Sequence, residues 1–284
     1  DVTLLPATDR DVSMVFQSYA LFPHMSVIEN VSYGLKMINI PKNEYIHKSF
    51  ETLKLVGLEN YENRMPSELS GGQQQRVAVA RAIVLEPKVL LFDEPLSNLD
   101  AKLRRQVRED IRELQQKLGV TTIYVTHDQE EALAISDKVI VMNNAVIAQA
   151  GSPKELYNSP KTSFVANFIG DANIVNAKIE SKNGNNYDLN FGGIRVTISS
   201  ILDLKNSASI ALRPEKINIE KNNKDNSMQA KINSMSYVGS HYQYFVSSEI
   251  GELFVVSNQT NNQHNLNEEV FLTFDKNGIN ILED

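Results

Sequence analysis

The sequence predicts an α/β domain built on a parallel sheet, followed by a smaller all-β domain. Two observations carry this. In the first half, continuous apolar runs at residues 89–92 and 121–126 flank a segment of helical periodicity, the strand–helix–strand arrangement of a parallel sheet with short connections. After Gly170 the texture changes to short β-rich runs between turns crowded with asparagine, at Asn183, Asn185 and Asn186 and again at Asn222 and Asn223.

In chain order, residues 12–16 read as a short strand. Residues 26–65 carry helical spacing, with Ile46, Phe50, Leu53 and Val56 on one face. Pro66-Ser67 breaks the chain before a helix through Val77, Ala80, Ile83 and Val84, which Glu86-Pro87 ends. Residues 89–92 follow as a strand expected to be buried on both faces. Leu99, Leu103, Val107, Ile111, Leu114 and Leu118 then recur every three or four residues, with Gly119 as the helix stop. Residues 121–126 and 138–142 are expected as further strands of the sheet. Beyond Gly170, residues 194–198, 209–212, 242–246 and 253–256 read as strands of the second domain. The domains are therefore expected at 1–170 and 171–284.

The 284 residues are 42% apolar, enough for a sizeable core and for two domains. With no cysteine there is no disulfide, thiolate nucleophile or cysteine-ligated zinc. No run approaches the roughly 18 apolar residues of a membrane span, and the start has no basic-then-apolar signal pattern, so membrane association is expected through a partner. The net charge of −7 argues against a nucleic-acid partner. Arg104, Arg105, Arg108 and Arg112 cluster, but Glu109, Asp110 and Glu113 interleave with them, which reads as a solvated helix face.

Two motifs carry chemistry. In Leu69-Ser70-Gly71-Gly72-Gln73-Gln74-Gln75-Arg76, a Ser-Gly-Gly at a helix start offers a hydroxyl and unobstructed backbone N–H groups to a phosphate, at the electropositive end of the helix. The strand at residues 89–92 runs into Asp93-Glu94, a metal partner beside a base. Either motif alone has a bland reading, a turn or a solvated strand end. Together, in this order, they resemble the signature loop and Walker B strand of an ATP-binding cassette (ABC) ATPase. Val15-Phe16-Gln17 resembles that family's Q-loop, Leu96-Ser97-Asn98-Leu99-Asp100 its D-loop, and Val125-Thr126-His127-Asp128 its switch histidine.

The resemblance implies an ABC-type nucleotide-binding domain with a helical subdomain at about residues 18–75, and a small OB-like domain of the TOBE type at the C-terminus, barrel-like and regulatory. Leu212-Arg213-Pro214-Glu215 and the stretch from Gly151-Ser152-Pro153 to Gly170 resemble the importer ATPases of the polyamine, iron(III), maltose-type and aminoethylphosphonate class. It further implies ATP and Mg2+ as cofactors. Asp93 would belong to the magnesium shell, Glu94 would polarise the attacking water, Gln17 would sense metal and γ-phosphate, and His127 would contact the γ-phosphate. Ser70, Gly71, Gly72 and Gln73 would complete the nucleotide site of a second, identical subunit in a head-to-tail dimer, with Asp100 between the two sites. Asn98 or Asp100 is equally suited to cap the following helix.

The stretch Ser18-Tyr19-Ala20-Leu21-Phe22-Pro23-His24 resembles the face that receives integral membrane permease subunits. A solute-binding protein would be an indirect partner, and the location the cytoplasmic face of the plasma (inner) membrane, peripherally bound. None of the 13 glycines opens the phosphate-cradling pattern G-x-x-x-x-G-K-[ST], and Gln17 lies close to the first residue. The expectation is thus a partial cassette, without its leading strands and P-loop (Walker A), that energises a small-solute importer by family but is inactive alone. A non-catalytic regulatory or scaffold piece, whose β domain binds a ligand or partner, is the competing reading. DNA-repair relatives with the same signature would need a long heptad coiled coil, and the sequence has none.

Overall fold

The computed structural model describes residues 1–260 and 263–284, which form two compact units, Asp1–Ser136 and Asp137–Asp284. In the first unit, β1 (Val12–Val15) is followed by α1 (Val27–Met37), α2 (Lys42–Leu55) and α3 (Gly71–Ile83). Then come β2 (Val89–Asp93), α4 (Ala101–Leu118), β3 (Thr121–Val125) and α5 (Gln129–Ile135). The strands form a parallel sheet in the order β1-β2-β3, with Val15 opposite Phe92 and Phe92 opposite Tyr124. The predicted strand–helix–strand unit is β2-α4-β3.

Local signals set the helix ends. Ser26 and Glu29 close a capping box on α1, and Ser70 and Gln73 close one on α3. Gly119 takes φ +62° as the left-handed residue that ends α4. The periodic segment at 26–65 is two helices, because Asn39 enters the left-handed region at φ +59° and Pro41 precedes α2. The expected face of α2 is corrected in part. Leu53 and Val56 are buried, but Phe50 is 44% exposed. Tyr45, Ser49 and Leu53, spaced four apart, form the inward row instead, and Phe50 lies one residue, about 100° around the helix, from Ser49.

The core of this unit joins Val15, Leu90 and Phe92 of the sheet to Val27, Val31, Leu53, Val77, Val107 and Ile111 of the helices. Only one sheet face is fully covered. On the central strand Leu90 and Phe92 are buried but Val89, Leu91 and Asp93 are only half-buried, and beside them on β3 Ile123 and Val125 are 56% and 52% exposed, so burial of the central strand on both faces does not hold among the described residues.

The second unit opens with an antiparallel hairpin of β4 (Val139–Asn143) and β5 (Val146–Gly151), whose turn puts Asn144 and Ala145 at φ +48° and +63°. Residues 138–142 therefore do not extend the parallel sheet, contrary to expectation. Short helices α6 (Pro153–Asn158) and α7 (Ser163–Phe168) follow. The all-β part consists of β6 (Asn173–Asn183), β7 (Asn186–Phe191), β8 (Ile194–Ser199), β9 (Ser207–Leu212), β10 (Ile217–Glu220), β11 (Met228–Tyr237), β12 (Tyr242–Ser248), β13 (Gly251–Ser257), β14 (Glu269–Phe274) and β15 (Ile279–Ile281). They make two five-stranded sheets, ordered β15-β9-β6-β7-β8 and β10-β14-β11-β12-β13, that share one core with Tyr187, Leu189, Phe191, Ile232, Tyr244 and Leu272.

Residues 137–170, assigned to the first domain on composition, fall in the second compact unit. Arg213, 2% exposed, is one reason: its guanidinium donates to the carbonyls of Tyr157, Ala166, Gly170 and Asp171, binding the segment before β6 to the end of β9.

Candidate functional site

The sheet converts three sequence positions into one cluster. Gln17 lies just past β1, Glu94 just past β2 and His127 just past β3, and because the strands are parallel and adjacent all three emerge at the same C-terminal edge. In open α/β sheets that edge is where ligands bind. Gln17 Nε2 donates to Glu94 Oε2 at 3.4 Å and to Ser97 Oγ at 3.1 Å. His127 Nδ1 lies 3.1 Å from Glu94 Oε1 on the other side. Glu94 is thus a carboxylate held between an amide and an imidazole, half-buried while His127 is largely in solvent.

Glu94 has φ +43°, a left-handed conformation that costs a side-chain-bearing residue about 1–2 kcal/mol. Its N–H still reaches the Val125 carbonyl of β3 at 3.0 Å, and its own carbonyl accepts from Ser97 Oγ at 3.0 Å, so hydrogen bonds on both sides hold the strained residue. Asn98 Nδ2 donates to the Gln17 carbonyl at 3.0 Å, tying the loop after β2 to the end of β1. Asp93 closes β2 opposite Val125.

A hard divalent cation suits this donor set. Asp93 at the strand end and the Gln17 amide offer oxygens of the kind such a cation takes beside water and phosphate. No group of three or more acidic, histidine or cysteine side chains that could cage a metal occurs among the described residues.

Ser70, Gly71, Gly72 and Gln73 form the start of α3. The Ser70 hydroxyl accepts from the Gln73 N–H at 3.4 Å, the Ser70 N–H donates to Gln73 Oε1 at 2.9 Å, and Gln73 Nε2 donates to the Tyr61 hydroxyl. A Cβ on Gly72 would stand 2.9 Å from Leu103, and one on Gly71 would stand 3.2 Å from Leu99, so the glycines also let α3 approach the start of α4. Asp100 caps α4, accepting from the Lys102 and Leu103 N–H groups at 3.1 and 3.0 Å. The structure thus brings Gln17, Glu94 and His127 together, while among the described residues Ser70, Gln73 and Asp100 make no hydrogen bond to them.

Behind His127 lies a network that the sequence reading missed. Glu131, 3% exposed, accepts from Thr126 Oγ1 at 2.8 Å and from the Tyr124 hydroxyl at 3.2 Å. Asp128 caps α5 through the Glu131 N–H, and Arg104 of α4 donates to Asp128 Oδ2 at 3.3 Å and to the Leu99 carbonyl at 3.1 Å. Arg104 is consequently not part of a purely solvated face. Burial first, and then the Glu131 carboxylate, push the Tyr124 phenol far up, so it stays protonated and donates. The run Asp128-Gln129-Glu130-Glu131 at a helix start was the available signal, because acidic residues favour the first turn.

In the stretch at residues 18–24, Phe22 packs against Tyr33 with ring centroids 4.7 Å apart. The buried Asn30 side chain accepts from the Phe22 N–H and donates to the Phe22, Met25 and Ser26 carbonyls. Pro23 and His24 are exposed.

The profile of the ABC transporter family matches residues 3–97, and that of the TOBE domain matches residues 210–282. The "Fe(3+) ions import ATP-binding protein FbpC" of Agrobacterium fabrum is 51% identical over 283 residues, covering 100% of this chain and 80% of its own length. The chain belongs to the ABC transporter family. The proteins of the same name from Rhizobium etli and Vibrio cholerae are 48% and 47% identical, each over 99% of this chain and 80% of their own. A solved structure of cbiO1 from Clostridium perfringens, part of the ABC transporter complex cbiONQ, aligns at TM-score 0.49 and 35% identity over 52% of this chain and 59% of that one. As a member of this family the chain is an ATP-binding subunit, an ATPase that energises a solute importer, and carries a TOBE-type all-β domain. No helix among the described residues is long and apolar enough to cross a membrane.

Proposed function

We propose that this ABC ATPase drives uptake of ferric iron, or of a closely related hard cation or its complex. The reading is supported by the names of relatives about half identical over essentially the whole chain. ATP would be held between two copies in head-to-tail arrangement, Ser70, Gly71, Gly72 and Gln73 of one facing the strand-end cluster of the other. That no hydrogen bond joins the two sets within one chain, among the described residues, favours that arrangement. Asp100 lies at the start of α4 beside the signature glycines and would sense the opposite site. The permease would dock at residues 18–24, placing the chain on the cytoplasmic face of the membrane.

The observation that carries the chemistry is Glu94 held between Gln17 and His127 at the C-terminal edge of the sheet. Magnesium, when bound, would neutralise phosphate charge at Asp93 and Gln17. Glu94 would accept the proton of the attacking water, with its carboxylate oriented by the Gln17 amide and the His127 ring. His127, exposed enough to move, would turn toward the γ-phosphate once Glu94 engages water. The test is Glu94→Gln in the protein expressed from its complete reading frame. Turnover should fall by about 10²- to 10⁴-fold, the range of a lost general base, while ATP-dependent dimerisation persists. Hydrolysis at an undiminished rate would overturn the assignment.

A further inference from the structure

We propose that Arg81, on the helix that carries the signature residues, is a positioning residue that sets Gln17 by clamping the two residues just beyond it. The proposal rests on the role of Gln17 given above and extends it to a residue outside the strand-end cluster.

Tyr19 and Ala20 have φ +62° and +48°, two consecutive left-handed residues, neither of them glycine. Each side chain there meets backbone it would avoid in an ordinary strand or helix. The Tyr19 hydroxyl adds to the burden: it is buried and has no hydrogen-bond partner among the described residues. Left alone, this segment would relax, and Gln17, two residues away, would move with it. Such strain persists only where the surroundings over-determine the conformation.

Arg81 supplies that constraint. Its Nη1 donates to the Ala20 carbonyl at 2.6 Å and its Nη2 to the Tyr19 carbonyl at 2.9 Å. The guanidinium also lies 5.6 Å from the centroid of the Phe22 ring. The planar fork of arginine suits two neighbouring carbonyls, and lysine cannot reproduce it. Within the pair, the Tyr19 N–H donates to the Phe16 carbonyl at 2.9 Å and the Tyr19 ring is buried in the core, but the carbonyls of Tyr19 and Ala20 are held by Arg81; the remaining holds lie on either side, Asn98 at the Gln17 carbonyl and Asn30 at Phe22. Because Arg81 belongs to α3 and Ser70 to Gln73 form the first turn of the same helix, displacement of the signature helix would pull directly on Tyr19 and Ala20. Conversely, a partner pressing on residues 18–24 would reach α3 directly through this side chain.

The test uses protein expressed from its complete reading frame, with steady-state ATPase kinetics and hydrogen exchange of residues 16–24. Arg81→Ala should lower kcat by about tenfold to a hundredfold, as expected for a displaced positioning contact, with KM for ATP unchanged. Exchange should accelerate at residues 18–22 and not in β1 or α3. Adding Ala20→Gly, which removes the left-handed penalty, should recover roughly fivefold in kcat. An unchanged kcat, faster exchange throughout the unit, or no recovery from Ala20→Gly would each overturn the proposal. If Arg81→Ala lacks a cooperative melt, Arg81→Lys, which can reach one carbonyl but not both, takes its place under the same criteria. Glu94→Gln runs alongside. Loss of turnover there with an indifferent Arg81 variant overturns this inference alone, whereas retained turnover in Glu94→Gln overturns the reading beneath it.

Discussion

Arg213→Met should loosen the second unit more than any surface change, and the structure sets the size of the effect. The side chain is 2% exposed, and four carbonyls share its two terminal nitrogens: Tyr157 at 2.7 Å on Nη2, and Ala166, Asp171 and Gly170 at 2.9, 3.1 and 3.2 Å on Nη1. The guanidinium carbon also stacks 4.2 Å from the Tyr157 ring centroid. Methionine keeps most of the apolar stem and removes the fork, so the loss is that of the charged hydrogen bonds and not of packing. A hydrogen bond to a charged group contributes about 1.5–3 kcal/mol, and three acceptors compete for one nitrogen, so the four contacts count as about two: roughly 3–6 kcal/mol. For a unit of this size each kcal/mol moves Tm by about 2–4 °C, which gives a fall of roughly 6–24 °C by calorimetry.

The same substitution should expose a protease site. In the native chain the peptide at Gly170-Asp171 is pinned, so the composition shift after Gly170 does not mark an open linker, and limited proteolysis should spare it. Freed of Arg213, it should be cut. A Tm within about 3 °C of the parent, with no new cleavage between residues 158 and 172, would refute the view that this side chain binds the segment to the β sheets.

Three further outcomes are expected. Tyr157 donates to Glu215 at 2.7 Å, and burial first, then Glu215, push its pKa from 10.0 up to about 12. The folded state therefore holds a proton that the unfolded state releases, so stability from this group is complete below pH 10 and is lost between about pH 10 and 12; the pH dependence of denaturant midpoints should lose that step in Tyr157→Phe. Gly72→Ala places a Cβ 2.9 Å from Leu103, and should destabilise by about 1–2 kcal/mol, a loss that Leu103→Ala partly relieves in a double-mutant cycle of melting curves. Glu131→Leu removes the acceptor of both the Thr126 and Tyr124 hydroxyls, though Thr126 still accepts from the Asp128 N–H, and should cost about 2–4 kcal/mol by chemical denaturation, while ATP turnover falls because the strand end that carries His127 loses its support.

Much of the first unit was legible because its signals are local. The capping pairs Ser26/Glu29 and Ser70/Gln73, the stop at Gly119 and the apolar run of β2 each fix an element within a few residues. The strand-end cluster was legible for a different reason: parallel adjacent strands bring their C-termini together whatever the loops do. Features set by neighbours distant in sequence were not legible. Phe50 looked inward because periodicity cannot say which of two adjacent stripes meets another helix. Residues 138–142 looked like a further parallel strand because an apolar run does not name its partner, and the left-handed Asn144-Ala145 turn folds it back on β5. Arg104 read as part of a solvated face because its carboxylate partner, Asp128, lies 24 residues on, and the structural roles of Glu131 and Arg213 were not legible because they depend on the β3 strand end and on carbonyls 42 or more residues away.

The strain at the site has the same origin and gives it a direction. Glu94, Tyr19 and Ala20 all sit in left-handed backbone in the loops that follow β2 and β1, and each is held by a hydrogen bond from another element: Glu94 by β3, with Ser97 of its own loop beside it, and Tyr19 and Ala20 by α3. No run of residue types signals such positions, because Glu, Tyr and Ala have no preference for them. The restraints on Gln17 come from different places: its side chain from Glu94 and Ser97, its carbonyl from Asn98, and its following residues from Arg81. A displacement of α3 alone would therefore release one restraint and leave the others, so the amide would pivot about the loop after β2 instead of leaving the site. That geometry favours a graded change in the orientation of Glu94 over an all-or-none loss of the cluster.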